Sequence, residues 1–136
     1  MKRCKRCRSL PGPLTFAWLM PVTNHFPRSQ RFLVTKRLLD AALDFQEAII
    51  QANNCRGQRR LSTLEQADEM LDRVRLYLRL AARWKWLKRG QYRHAAGMVA
   101  EMGRLLGGWQ KTTRQRRDKD SKHGCTEGPS LHPCNP

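Results

Sequence analysis

The chain has 136 residues, and its 27 Lys and Arg against 11 Asp and Glu give a formal net charge of +16. That length holds one domain of ordinary size and leaves no room for a second. The 40% apolar content supports a globular core, while 7% aromatic residues argue against a many-stranded sandwich. So large a positive surplus calls for an anionic neighbour, phosphate first among them.

Five bases fall in the first eight positions, and five more lie between Arg114 and Lys122. From Leu14 to Lys111 there are still 17 bases against 8 acids, a surplus of +9, so the charge belongs to the folded part as well as to its ends. Residues 1–12 are expected to form a basic, flexible N-terminus. The apolar run Leu14 to Val22 that follows is short, holds Pro21 and lacks a small-x-small cleavage site, so it is not read as a secretion signal. No segment approaches the roughly 20 apolar residues of a membrane span. A cytoplasmic protein without a membrane partner is therefore expected.

Four helices are predicted, joined by short connections into an all-α, up-down-up-down four-helix bundle over residues 13–111. The first, residues 13–25, supplies Leu14, Phe16, Trp18, Leu19 and Val22, with Pro21 distorting it late by removing a backbone donor. Pro27 suits the first turn of the second helix, which runs to about Asn54. There Val34, Leu38, Ala41, Phe45, Ala48 and Ala52 recur at steps of three and four as a buried stripe. Lys36, Asp40, Asp44, Glu47 and Gln51 take the wet side.

Asn53, Asn54 and Gly57 are expected to end that helix, and the segment Cys55–Arg60 to form a basic loop. Ser62 and Glu65 then have the spacing of a capping box for the third helix. Leu64, Ala67, Leu71, Val74, Leu78 and Ala81 form its seam, with acids early and bases late, as the helix dipole favours. Gly90 is expected to stop it. Tyr92, Ala95, Val99, Met102, Leu106 and Trp109 mark the fourth helix, and residues 112–136 read as a disordered polar tail.

Five cysteines, an odd number, imply no disulfide framework. Cys4-x-x-Cys7 with His123, Cys125, His132 and Cys134 offers enough ligand types for zinc, but the spacing of the second group matches no common finger or knuckle, so no metal is assigned. Asp40, Asp44, Glu47 and His94 lie on polar faces without the paired Glu-x-x-His motifs of di-metal bundles, and are better read as charge partners. Gly103, Gly107 and Gly108 make no phosphate loop, since no strand precedes them and no Lys-Ser/Thr follows. Neither catalysis nor a cofactor is expected.

The candidate binding residues are basic. Arg75, Arg79 and Arg83, spaced by four, project from one side of the third helix, and three like charges in a row need acidic neighbours or an anionic ligand. The alternative is a solvated face partly neutralised by Asp68 and Asp72. Arg28, Arg31, Lys36 and Arg37 start the second helix against its dipole, which points to a phosphate or an acidic partner, or to a basic surface turn. Trp84 and Trp86 interleave with Lys85, Lys88 and Arg89, a pattern that suits stacking on unpaired bases or, alternatively, packing.

Three blocks carry a family resemblance: Phe26 to Phe32 (FPRSQRF), Leu71 to Leu80 (LDRVRLYLRL) and Gly103 to Trp109 (GRLLGGW). In order and spacing they resemble the accessory variability determinant (Avd) proteins of diversity-generating retroelements, and the related four-helix proteins encoded in ribosomal-RNA intervening sequences. The resemblance spans roughly residues 14–111. It implies a bundle assembled into a ring-like homopentamer, with a basic surface, that binds a reverse transcriptase and assists RNA-templated cDNA synthesis. Arg75 and Arg79 fall in the family's LR-x-x-LR pattern, and Arg104 in the third block joins the candidate contacts. A purely structural module of the intervening-sequence type, without a reverse-transcriptase partner, is the alternative.

Overall fold

The computed structural model describes residues 12–123. These form four long helices with no strand among them: α1 (Gly12–Thr23), α2 (Lys36–Asn54), α3 (Gly57–Arg83) and α4 (Arg89–His123). A helical turn, Arg28–Gln30, and a π-helical stretch, Arg31–Thr35, lead directly into α2. α2 packs on α3, α3 on α4, and α1 lies against α2 and α4, the arrangement of a four-helix bundle.

The core follows from the predicted stripes. Leu38, Ala41, Phe45, Ala48 and Ala52 of α2 meet Leu64, Ala67, Leu71, Val74, Leu78 and Ala81 of α3, with Ala95, Val99, Met102, Leu106 and Trp109 of α4. Val34, in the π-helical stretch, is buried as well. Leu38, Leu64, Leu71 and Leu106 are wholly sealed, and each such side chain contributes about 1.5–3 kcal/mol against the entropy of ordering the chain. α1 is apolar nearly all round and inserts Leu19 and Val22, while Trp18 meets His94 of α4 with ring centroids 5.0 Å apart. Pro21 falls in the last turn of α1, so the backbone bond it removes, to the Ala17 carbonyl, is followed by only two more helical residues.

Several boundaries differ from the sequence-based expectation, each for a physical reason. Pro27 stands just outside the second helix as its N-cap. In the π-helical stretch that follows, the Lys36 N–H reaches back to the Arg31 carbonyl, and the Thr35 hydroxyl and Arg31 Nε are buried without a protein hydrogen-bond partner. Gly57 does not end α2 but opens α3, at φ +58° after a connection of only Cys55 and Arg56. A turn that tight requires the left-handed conformation, which glycine adopts without steric cost. The capping box is not used: α3 begins five residues before Ser62, because Leu61, Thr63 and Leu64 are already buried in its first two turns.

Gly90 does not stop α3 either. The helix ends at Arg83, and Lys85 takes the left-handed conformation at φ +59°. The Trp86 N–H bonds to the Ala81 carbonyl at 2.9 Å and the Lys85 N–H to Ala82 at 3.0 Å, the paired bonds of a Schellman motif. Lys85 and Lys88 therefore sit in the turn, and Arg89 begins α4. Finally, α4 continues past Lys111 to His123. Buried Thr113 donates to the Trp109 carbonyl, and Arg114 and Arg117 reach across to Glu65 and Gln58 of α3, tying the extension to its neighbour. Cys4, Cys7, Cys125, His132 and Cys134 lie outside the described residues.

Candidate nucleic-acid interface

The three arginines of α3 are not equivalent. Arg75 is half-buried and donates to Asp72 one turn earlier, at 2.5 Å. Its guanidinium also lies over Gly103 of α4, against the position a β-carbon would take. Arg79 and Arg83 are exposed, and neither has a carboxylate of the described chain within ion-pair distance. Arg75 and Arg79 border a shallow groove of about 220 Å³ between α3 and α4, floored by Leu78 and Val99 and flanked by Tyr92 and Ala96.

The start of the second helix and the α3–α4 turn come together at one end of the bundle. Phe26 packs on Trp86 with centroids 5.4 Å apart, Trp86 on Trp84 at 4.8 Å, and Gln30 joins both tryptophans around an open cleft of about 340 Å³. Trp86 is thus half committed to packing, whereas Trp84 remains 47% exposed. Arg28, Lys85, Lys88 and Arg89 are exposed at this end, and Lys36 and Arg37 lie exposed one to two turns further along. Arg31 is different: its Nη2 donates to the Asn24 carbonyl at 2.6 Å, so it closes the turn between α1 and the second helix.

Arg104 follows Gly103 on α4 and is engaged within its own helix. It forks onto Glu101, Nε to Oε2 at 3.0 Å and Nη2 to Oε1 at 2.5 Å. This hydrogen-bonded pairing lowers the Glu101 pKa and raises that of Arg104. Among the described residues no three His, Cys, Asp or Glu side chains gather into a metal-binding group, so Asp40, Asp44, Glu47 and His94 are not brought together.

Sequence reasoning missed two features. α2 also carries exposed apolar residues, Leu43 and Ile50, on the side away from its core stripe, with Phe32 and Leu33 exposed just before it. Their signal was present, since Leu39, Leu43 and Ile50 share one helical face, but the stronger core stripe masked it. The second feature is a further basic cleft at the other end of α3, where Arg56 and Arg60 meet Arg116 and Arg117 of α4. It was illegible because residues past Lys111 lack apolar periodicity.

A family model described as bAvd-like matches residues 14–113. The chain belongs to the bAvd-like family. No curated protein and no solved structure matches the chain. The bAvd-like match spans all four helices of the bundle up to the first part of the α4 extension, and it contains the three sequence blocks that carry the resemblance. Membership suggests an accessory role in diversity-generating retroelements. The bAvd-like fold presents no helix among the described residues that is long and apolar enough to cross a membrane.

Proposed function

We propose that this bAvd-like protein is a non-catalytic accessory subunit of a diversity-generating retroelement. It binds the element's reverse transcriptase and, through its basic surface, template RNA or cDNA. The observation that carries this reading is the exposure of Arg79 and Arg83 without carboxylate partners, beside the basic turn of Lys85, Lys88 and Arg89. Unpaired guanidinium groups on an already basic fold favour phosphate oxygens, onto which they fork. The exposed ring of Trp84 in the same region offers a stacking surface for an unpaired base.

The mechanism is electrostatic positioning, in which phosphate contacts hold template and polymerase together with affinity that falls steeply as salt rises. Assembly into a homopentamer is part of the proposal. The exposed Leu43 and Ile50 of α2, with Phe32 and Leu33 nearby, supply an apolar side suited to subunit contact.

Co-purification with the reverse transcriptase of the same retroelement, followed by mass measurement of the complex, tests the partner and the stoichiometry. The double change Arg79→Glu with Arg83→Glu should weaken RNA binding and transcriptase association at low salt. If both persist unchanged, these residues do not have the assigned role.

A further inference from the structure

Arg56, Arg60, Arg116 and Arg117 line a cleft of about 690 Å³ between the start of α3 and the extension of α4, with Asp120 the one acid on its wall. From Gly57 to Arg83 α3 rises about 39 Å at 1.5 Å per residue, so this cleft lies at the opposite end of the bundle from Lys85 and Trp84.

Three independent features mark the cleft as a place for an anion. The first is charge: Arg56 and Arg116 have no ion-pair partner among the described residues, and Arg117 meets only Asp118, at 3.7 Å and beside it in sequence. The second is the helix start. Gly57 begins α3 within the cleft wall, the N-cap residue Arg56 makes no side-chain cap, and the first turn holds no acid, so free backbone donors and arginines crowd together. Bases at a helix N-terminus oppose the dipole and do not help the fold by themselves, whereas an anion there satisfies donors and guanidinium groups at once.

The third feature is preorganisation. Arg60 Nε donates to the Ala52 carbonyl at 3.0 Å and its guanidinium lies over the Trp109 ring, 5.9 Å from the centroid. One hydrogen bond to α2 and one cation–π contact with α4 hold its plane, and its terminal nitrogens have no hydrogen bond within the described chain. Arg117 is likewise anchored, through Gln58 at 2.5 Å.

We propose that this cleft is a second nucleic-acid contact, seating the phosphodiester backbone of a single strand between the N-terminus of α3 and the extension of α4. The assignment rests on the nucleic-acid role proposed above, and it places that contact at the far end of the bundle from the α3–α4 turn.

The test is binding of a labelled single-stranded RNA to the full chain across a salt series. The cleft variant is Arg56→Gln/Arg116→Gln/Arg117→Gln, which spares Arg60 and its packing. The control, Arg73→Gln/Arg93→Gln/Lys111→Gln, removes the same charge elsewhere. The cleft variant should bind about 10-fold or more weakly at about 50 mM salt, and its log-log salt slope should flatten by about 2, near 0.7 per lost phosphate contact. Its melting temperature should hold, because the core stripes are untouched, the lost Arg117 contacts with Gln58 and Asp118 are exposed, and like charges have been removed from one another; Arg114 still holds the α4 extension to Glu65.

An unchanged slope in a cleft variant whose parent protein binds RNA overturns this site and leaves the accessory role standing. Equal losses in the cleft and control variants reduce the effect to net charge and overturn it too. Wild-type protein that binds no RNA removes both readings. Two competitors separate other occupants. Inorganic phosphate that stabilises a wild-type protein lacking RNA affinity reassigns the cleft to a free anion. Poly-glutamate that binds as tightly as RNA, and is lost with the cleft variant, reassigns it to an acidic protein segment.

Discussion

The guanidinium of Arg75 on α3 occupies the space above Gly103 on α4 that a β-carbon would fill, with Leu71 Cδ2 3.6 Å from the same point. One glycine thus lets an arginine lie along the α3–α4 seam. Gly103→Ala should displace the flexible end of Arg75 while gaining about 0.5–1 kcal/mol of helix propensity, leaving stability nearly unchanged. Gly107→Ala, which meets nothing within 4 Å, should stabilise the monomer by the full amount, about 1 kcal/mol. Urea melts of the two variants check the contrast, and equal gains would show that Arg75 does not rest on Gly103.

Lys85 and Gly57 both sit at positive φ, 59° and 58° respectively, but only one is glycine. A side chain in the left-handed region costs roughly 1–2 kcal/mol. Lys85→Gly should therefore raise stability, by about 1 kcal/mol at most after the added freedom of the unfolded chain is counted. Gly57→Ala should lower it by about 1 kcal/mol. Thermal melts monitored by circular dichroism give both signs.

Ser62 lies exposed within α3 rather than at its cap. Ser62→Ala should be neutral or stabilising by a few tenths of a kcal/mol, whereas loss of a working cap costs about 1 kcal/mol. A destabilisation of that size in chemical denaturation would place the helix start at Ser62 after all.

The Glu101 carboxylate is held below its usual pKa, first by the Arg104 hydrogen bonds and then by the Arg104 charge. A lowered folded pKa means the pair contributes fully above the ordinary glutamate range, about 4.3, and its contribution is lost as pH falls through the lower, folded value. A carboxyl titration followed by NMR should show a midpoint below the ordinary range for Glu101. Arg104→Gln should return it to that range.

The buried stripes of α2, α3 and α4 were legible because a 3.6-residue period is a local property: Leu38 and Phe45, Leu71 and Leu78, Val99 and Leu106 are each fixed by spacing along their own helix. The basic set was legible only as composition. Arg75, Arg79 and Arg83 look identical at four-residue intervals, yet Asp72 and Gly103 engage the first and leave the others open. Arg28 and Arg31 look alike too, but the Asn24 carbonyl claims Arg31.

By itself, then, the sequence determined three amphipathic helices with their core faces, a shorter and largely apolar one before them, an excess of positive charge and the three blocks of the family. Tertiary structure decided where the helices stop and which charges remain free. Helix ends depend on what the terminal residues pack against, as Leu61 drew the start of α3 back to Gly57 and contacts with Glu65 and Gln58 carried α4 on to His123. A guanidinium becomes a binding group only when no neighbour from another turn or helix has already satisfied it, and that neighbour is set by packing, not by spacing along the chain.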